Sequence, residues 1–525
     1  MNIKIASLLT LGMLGTMVFA ILATAAFVMG ALDLPTLLIL TVAVNFFAWL
    51  FSPVINDFIY RIFYKIRFCK EEEFRQLDPE LAEFTARICK ENKIKFPKIG
   101  IIEDDNPTAF TYGSLPSNAR LVFSHGLFVY LNPDEVEAVI AHELGHIVHY
   151  DFVVMTVANT LVQLLYEIYV AFTESKSKNG SSRDSGPLAV IGLISYIFYI
   201  VATYVLLLLS REREYYADEF SAKTTGRPQS LSSALIKIAY GMVTLESDVR
   251  SRRLLESTRA IGIMDPHSAK GVGMVSRLSG EVGKVLAFDF VSPWAGILEL
   301  SSTHPLTGKR IKRLDDIAQS QGKEKAYDIP AIINNMTLDR GRLYSGFYLG
   351  AFIYFLPNIS VILGFILSIF MGSFSYLFLS LGLSIIIKAL YRFPRKTSSI
   401  VTLLDLMSDM YASPVRGRKV ALEGKVVGRG EAGAYLSEDL MFQDRTGIIY
   451  LDFSSKLGSL GNLFFALKKV MKIIGQEVQA EGWFFRGTYQ MVSLSSIKMG
   501  QNTIKSHPAL WSIIGGLFFI FIGLL

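Results

Sequence analysis

The chain has 525 residues, of which 51% are hydrophobic, and its mean hydropathy of +0.38 excludes an ordinary soluble enzyme. Its two cysteines cannot build a disulfide framework, and without a Cys-x-x-Cys pair they exclude a thiolate zinc site. The net charge of +6 is modest for this length, and because basic loops beside anionic lipid account for it, no nucleic-acid partner is required.

The N-terminal part is predicted to be a membrane hairpin. Residues 5–32 and 35–54 are apolar stretches, and each is long enough to cross a hydrocarbon core of about 30 Å as a helix. The first stretch is longer than the apolar region of a signal peptide, so we expect it to be retained. A basic cluster follows at residues 61–70, and positive charge beside a span marks the cytoplasmic side.

Residues 71–151 combine helical and strand patterns. An amphipathic helix is predicted over residues 81–93, and short strands are predicted at Lys98–Ile102 and Arg120–Ser124. Residues 106–113, between the strands, are a turn followed by strand-forming residues, for which an ordinary hairpin is the simplest interpretation. A strand at a sheet edge could instead bind an extended peptide through main-chain hydrogen bonds.

Residues 132–151 contain a His-Glu-x-x-His motif on a predicted helix, with Pro133 in its first turn. Positions four apart lie on one helix face, so His142 and His146 can both reach one Zn²⁺ at about 2.0–2.1 Å. Glu143 then lies close by, where it can take a proton from water without being a ligand. The alternative is a pair of histidines on a solvated face. The apolar neighbours of the motif argue against it, because they would bury the imidazoles, and buried histidines need a partner.

A further apolar stretch, residues 152–173, carries three polar side chains spaced four residues apart, which places Asn159, Gln163 and Glu167 on one stripe. Polar groups within a span face other helices or a water-filled cavity, because their exposure to lipid is costly. Hydrogen bonding between helices and a wet route towards the zinc site are both open interpretations. After a polar loop, residues 188–209 are apolar again and return the chain to the cytoplasmic side.

The point of re-entry can supply the missing zinc ligand. A two-histidine catalytic site needs a third protein ligand and one open position, and Glu214 is the best candidate. Asp218, four residues further on, lies on the same helix face and can orient a ligand histidine. A charged cap beside the membrane is the alternative, but a hairpin over residues 152–209 returns this segment to the side of the motif. His125 and His149 are expected not to be ligands.

Residues 226–342 are predicted to be soluble, with a helix over residues 231–242 and a Gly/Ser-rich middle near residues 270–283. That middle could be a lid over the site or a simple surface insertion. Residues 344–370 and 374–391 form another apolar hairpin, whose basic end is again predicted to be cytoplasmic.

Residues 413–503 alternate at period two in several runs, with glycines at bends and a helical insert over residues 460–473. This pattern predicts a small antiparallel β-barrel that resembles an OB-fold. Such barrels can bind single-stranded nucleic acid, but acids interspersed among the bases favour a protein partner or a structural role. A final apolar run at residues 509–525 is predicted to be a membrane anchor, which brings the predicted spans to seven.

Taken together, these motifs resemble the HtpX-type membrane metallopeptidases, gluzincins related to the CAAX prenyl proteases. The resemblance covers about residues 1–320 and rests on the motifs at residues 106–110, 126–127, 142–151, 214–218, 303–305 and 310–311. It implies that zinc is bound by His142, His146 and Glu214. It also implies that Glu143 is the general base and that Asp218 supports the site.

The resemblance further places the substrate edge of the cleft at Asn106, Ala109 and Phe110. His304 and Arg310 would be near-site residues that help to stabilise the oxyanion. The chain departs from the family here, since a Pro-Thr pair stands between Asn106 and Ala109 where the family more often runs Asn directly into Ala-Phe. On its chemistry alone, a histidine before a proline could be structural or catalytic.

The sequence therefore predicts a multi-pass α-helical membrane protein with a zincin-like α+β catalytic domain and a C-terminal OB-like barrel. The expected function is that of a zinc endopeptidase in the cell membrane, with one Zn²⁺ per chain, which cleaves misfolded or membrane-associated polypeptides on the cytoplasmic side. Processing of lipidated C-termini, and a non-catalytic scaffold that works through the barrel, are the alternatives. The expected domain boundaries are 1–55, 56–342 with the hairpin 152–209 inside it, 343–392, 413–503 and 508–525.

Overall fold

The computed structural model describes residues 33–174, 185–245, 263, 282–429, 438–487 and 490–525. The predicted span at residues 5–32 lies outside the described residues, as do most of the polar loop that follows residue 174 and most of the Gly/Ser-rich segment near residues 270–283.

A long helix leads into a small sheet. Helix α1 (Leu34–Phe63) begins at Asp33, whose carboxylate accepts the Thr36 N–H at 2.9 Å. The elements that follow are β1 (Arg67–Cys69), α2 (Glu71–Leu77), α3 (Pro79–Glu91), β2 (Lys98–Ile102), β3 (Ala109–Tyr112) and β4 (Arg120–Ser124). The sheet order is β1-β2-β4-β3, with β2 and β4 parallel and the outer pairs antiparallel. Strand β3 therefore lies at one edge of this sheet.

One carboxylate ties the membrane helix to the sheet. Asp57 on α1 accepts the Tyr112 hydroxyl at 2.8 Å and pairs with Arg120 at 2.9 Å and Lys98 at 2.9 Å. All three partners belong to different strands, so this carboxylate fixes the angle at which α1 leaves the sheet.

The motif helix is well defined by its sequence. After α4 (His125–Tyr130), helix α5 (Pro133–Val148) starts at Asn132, which forms a capping box with Glu135. One face of α5 packs against β3 and the other against the helix that carries Glu214. This packing buries the His-Glu-x-x-His motif between sheet and helix.

The two membrane helices that follow lie side by side. Helix α6 (Asp151–Glu174) packs along α7 (Ser185–Thr225), and α7 is one continuous helix of 41 residues. At about 1.5 Å per residue it is about 60 Å long, twice a hydrocarbon core of about 30 Å. Its second half therefore extends beyond the span and reaches the motif helix.

The polar stripe on α6 contains one contact between helices. The Asn45 amide on α1 donates to the Gln163 side chain at 2.9 Å, so this residue serves helix packing. The Asn159 amide donates to the Met155 carbonyl within α6 at 2.8 Å. Glu167 is buried.

A group of short helices completes the peptidase part: α8 (Pro228–Leu245), α9 (Val282–Val291), α10 (Pro293–Leu300), α11 (Thr307–Ser320) and α12 (Ile329–Asn334). Helix α8 packs on α5 and α7, helix α11 packs on α7 and α8, and both share one hydrophobic core with the sheet. The helix predicted over residues 231–242 is thus several residues longer at each end.

A second membrane hairpin follows. Helices α13 (Arg340–Met371) and α14 (Ser375–Arg392) pack together across a turn at Gly372, whose φ of 66° suits glycine. Ser360 and Ser384 are 2.9 Å apart between the helices, as small polar residues often are in membrane pairs. The two helices lie where the sequence predicted apolar stretches, and the membrane hairpin itself stays a prediction.

The C-terminal region is a closed five-stranded barrel. Its elements are β5 (Ser399–Ile400), α15 (Leu403–Met407), β6 (Arg418–Arg429), β7 (Leu440–Gln443), β8 (Ile448–Asp452), α16 (Gly458–Lys468), α17 (Val470–Ile473), β9 (Glu477–Arg486), β10 (Gln490–Met499) and β11 (Asn502–Lys505). Strands β6, β7 and β8 pair in order, β8 pairs in parallel with β10, and β9 closes the barrel between β10 and β6. The helical insert lies between the third and fourth barrel strands, as in an OB-fold.

The barrel is joined to the peptidase part by a buried arginine. Arg486 on β9 donates to the Val285 carbonyl at 3.2 Å, and its guanidinium lies 3.6 Å from the centroid of the Phe288 ring. Both partners belong to α9, so the barrel packs directly on the helix that precedes α11.

Within the described residues, five helices are long and apolar enough to cross a membrane: α1, α6, α7, α13 and α14. The final apolar helix, α18 (Leu510–Leu524), has 15 residues and packs along α14. At about 22 Å it is shorter than a hydrocarbon core of about 30 Å. The chain is a multi-pass membrane protein with an α+β domain and a barrel, although the predicted total of seven spans stays a prediction.

Candidate active site

Three side chains from two helices converge. His142 and His146 on α5 have their Nε2 atoms 3.2 Å apart, and the Glu214 carboxylate on α7 lies 3.6 Å from each of them. A tetrahedral zinc ion with bonds of about 2.0–2.1 Å separates its ligand atoms by about 3.3 Å. The three donors therefore fit one zinc ion, and their chemistry of two imidazoles and one carboxylate suits it.

His142 is held in the neutral form that metal binding requires. His142 is fully buried, and burial lowers its pKa to about 4, so the imidazole is neutral at physiological pH. A neutral imidazole keeps a lone pair on Nε2, which faces the other two donors.

Each histidine has a carboxylate behind it. Asp218 Oδ1 lies 3.0 Å from His142 Nδ1, and Asp151 Oδ2 lies 2.6 Å from His146 Nδ1. Such partners fix the tautomer and the orientation of a metal-binding imidazole. Asp218 lies where the sequence predicted it, whereas the role of Asp151 was not predicted. A left-handed residue, Tyr150 with a φ of 58°, turns the chain between α5 and α6 and brings Asp151 back to His146.

Arginines neutralise these carboxylates. Arg310 on α11 binds Asp218 through two hydrogen bonds of 2.9 and 2.6 Å, and its Nη1 lies 3.5 Å from Glu214. Burial by itself lowers the pKa of Arg310, but the Asp218 carboxylate outweighs burial and holds that pKa above its usual value. Arg213, which is partly buried, forms a single ion pair with Asp151, and burial lowers the pKa of its guanidinium.

Glu143 differs from the other acids in the site. It is fully buried, and neither carboxylate oxygen has a well-formed hydrogen bond among the described residues, although the Thr111 side chain lies near enough to favour the charged form and lower the pKa. Burial raises the pKa of Glu143 to about 7, close to physiological pH. A group with such a pKa can both accept and release a proton in one catalytic cycle.

His304 faces the site rather than only shaping a turn. Its side chain is 2% exposed, its Nε2 lies 3.5 Å from Glu214 Oε1, and its Nδ1 lies 3.0 Å from the Thr303 hydroxyl. The geometry favours the functional interpretation that the sequence left open.

The predicted substrate edge is largely buried. Asn106, Ala109 and Phe110 are all fully buried, and Phe110 packs against the Tyr60 ring. Ala109 and Phe110 therefore belong to the core, and because each is 0% exposed as a whole residue, their backbone atoms are covered too. The Ala109 carbonyl accepts the Ile263 N–H at 3.1 Å, a contact within the chain that the sequence did not indicate.

Two further histidines are not part of the cluster. The His125 ring lies 3.4 Å from Asp105 and is more than half exposed, and the His149 ring packs against Tyr216 and Phe220. Neither is among the three donors that meet in the described part of the chain.

We expect Gly126→Ala to lower cleavage activity without loss of metal. A Cβ at this position would lie 2.0 Å from the Asp105 carbonyl oxygen and 2.8 Å from the Asn106 carbonyl carbon, so the backbone before β3 must move. Overpacking of this kind costs about 1–3 kcal/mol. The measurements are kcat/KM, bound metal and thermal unfolding. Gly296→Ala is the matched control, because nothing lies within 4 Å of its added Cβ. Wild-type kcat/KM in Gly126→Ala would contradict a role for this loop.

Comparison with known proteins gives consistent results. Residues 75–318 match the family described as peptidase family M48. A protein named Protease HtpX homolog from Pyrococcus furiosus is 34% identical over 283 residues, which are 53% of this chain and 84% of the relative. Its namesake from Pyrococcus abyssi is 35% identical over 54% of this chain and 88% of the relative.

One solved structure is a more distant match. The crystal structure of S. mikatae Ste24p is 19% identical, with a TM-score of 0.37, and the alignment covers 59% of this chain and 65% of that chain. The barrel lies beyond the residues that match the peptidase family.

Proposed function

The chain belongs to the HtpX-type membrane metalloproteases of peptidase family M48, and from that premise we propose that it is a zinc endopeptidase that cleaves misfolded or membrane-associated polypeptides on the cytoplasmic side. The metal ligands in this proposal are His142, His146 and Glu214, and the general base is Glu143.

One observation supports this proposal most directly. Helices α5 and α7, with α6 between them in the chain, bring two imidazoles and a carboxylate within 4.8 Å of one another. The acid next to the first imidazole, Glu143, is buried, and its carboxylate has no well-formed hydrogen bond in the described part of the chain. A structural ion-pair network would not leave such a group unsatisfied.

The reaction follows from the groups present. A bound zinc ion would polarise the scissile carbonyl and acidify a water molecule. Glu143 takes the proton from that water and passes it to the leaving amine, for which its raised pKa is suited. His304, beside Glu214, donates a hydrogen bond to the developing oxyanion. Arg310 acts through Asp218 as a positioning residue.

The orientation and the substrate class rest on charge and position. Basic residues follow α1 at residues 61–70 and occur at the end of α14, and positive charge beside a span marks the cytoplasmic side. Because α7 runs without a break from the span to Glu214, the site lies close to the bilayer. Polypeptides at the membrane surface therefore suit the site best.

The test uses the full chain purified in detergent. We expect about one zinc ion per chain by metal analysis and cleavage of casein, an unstructured substrate, that is lost with a chelator and restored by zinc. A matched pair of variants separates ligand from bystander histidines. His146→Gln should lose both zinc and cleavage, whereas His125→Gln should keep both. Equal cleavage by metal-free protein would refute the proposal.

A further inference from the structure

A cavity lies where the peptidase part, the α13–α14 hairpin and the barrel meet. It has a volume of about 700 Å³, within the range of small-molecule sites. Its walls come from Trp294 on α10, the first turns of α13, the end of α14 and the segment that precedes β6. We call it the seam cavity.

The seam cavity is strongly basic. Its charged lining residues are Arg342, Lys396, Arg416, Arg418, Lys419 and one acid, Asp409. Asp409 forms an ion pair with Arg418 at 2.7 Å. Among the described residues, the other four form no salt bridge, so the cavity holds a positive field that favours an anion.

Aromatic rings hold several of these cations in place. The Arg342 guanidinium lies 4.9 Å from the Tyr411 ring centroid, and that of Arg416 lies 5.1 Å from the Tyr391 centroid. A guanidinium stacked in this way loses less rotamer freedom when it binds a phosphate, for which its planar fork is suited.

Part of the cavity wall comes from a predicted membrane span. Leu343, Phe347 and Leu349, which line it, belong to the first three turns of the membrane helix α13. On the same part of α13, Tyr344 is 46% exposed and Tyr348 is 65% exposed. Exposed tyrosines beside basic residues at the end of a span are typical of the membrane–water interface. The basic part of the lining therefore suits the phosphate headgroup of a phospholipid, and the apolar part suits its acyl chains.

We propose that the seam cavity binds the phosphate headgroup of an anionic phospholipid, with its acyl chains along the first turns of α13. Free phosphate shares the headgroup's chemistry, but it has no apolar part to pack against Leu343, Phe347 and Leu349. A lipid bound there contacts all three parts of the protein. This site is separate from the zinc site, and the proposal does not depend on the proteolytic function.

The test is binding to the full chain in detergent, measured by calorimetry with three probes: dihexanoyl phosphatidylglycerol, dihexanoyl phosphatidylcholine and inorganic phosphate. We expect saturable binding of one phosphatidylglycerol per chain and at least about tenfold weaker binding of the other two probes. The double variant Arg342→Gln, Arg416→Gln should bind phosphatidylglycerol about thirtyfold more weakly than the wild type does. Lys396→Gln changes an exposed cation that does not stack on a ring among the described residues, and it should lower the affinity for phosphatidylglycerol about fivefold.

Controls separate the cavity from general surface charge. The double variant Arg87→Gln, Lys90→Gln removes the same charge from exposed positions on α3, where Arg87 also stacks on a ring, that of Phe84. It should bind phosphatidylglycerol as the wild type does, and thermal unfolding shows that each variant is folded. Three results would overturn the proposal: unchanged affinity in the cavity variants, equal loss in the α3 control, or phosphate binding as tight as that of the lipid.

Discussion

Glu143→Gln is expected to lose peptide cleavage by a factor of between about 10² and 10⁴ while it keeps the metal. The amide has nearly the same shape as the carboxylate but cannot accept a proton from water. Because the carboxylate is fully buried and burial is the main cause of its raised pKa, the neutral amide removes a desolvation cost. We therefore expect the thermal unfolding temperature to stay the same or rise.

The control for this substitution lies on the same helix. Glu137→Gln makes the same chemical change at a side chain that pairs with Arg227, outside the metal cluster, and should leave kcat/KM unchanged. Metal content, kcat/KM and thermal unfolding are measured for both variants. Full activity in Glu143→Gln would remove this residue from the mechanism, and loss of metal would instead make it a ligand or a support for one.

Local patterns were enough to predict the elements that form the site. The capping residue, the proline and the apolar periodicity predicted α5, and the two strands Lys98–Ile102 and Arg120–Ser124 have the predicted bounds. Alternation with glycine bends predicted the barrel. These signals are readable because each depends on neighbours within one turn or one strand.

Contacts that depend on tertiary structure could not be predicted in this way. Asp151 reaches His146 only because the chain turns at Tyr150, and Ile263 meets β3 from a distant part of the chain. The arginine that neutralises Asp151, Arg213, resembles any charged residue beside a membrane span in the sequence. No local sequence pattern indicates any of these three contacts.

The barrel has a physical path to the site. Arg486 of the barrel packs on α9, and Asp289 of the same helix accepts the Gly308 N–H at 2.8 Å in the first turn of α11. Burial raises the pKa of Asp289 to about 6, against the opposing effect of Arg486. Helix α11 carries Arg310, and Arg310 binds Asp218. The position of the barrel is thus linked by direct contacts to the carboxylate behind a metal-binding histidine.

That carboxylate, Asp218, lies between a candidate metal ligand and a buried arginine. Asp218→Asn should lower zinc affinity by about 10–100-fold, because His142 loses the anion that orients it. It should also lower the free energy of unfolding by about 3–5 kcal/mol, because Arg310 is left buried without its bidentate partner. Competition with a zinc chelator measures the first effect, and denaturant unfolding measures the second.

A double variant separates these two effects. Asp218→Asn with Arg310→Met removes both members of the buried pair, and replacement of a whole pair by neutral groups costs far less than removal of one partner. We expect most of the stability to return while zinc affinity stays low, because the orienting carboxylate is still absent. If the double variant recovers zinc affinity together with stability, Asp218 acts on the metal only through the fold. Wild-type zinc affinity in Asp218→Asn itself would show that His142 needs no carboxylate behind it.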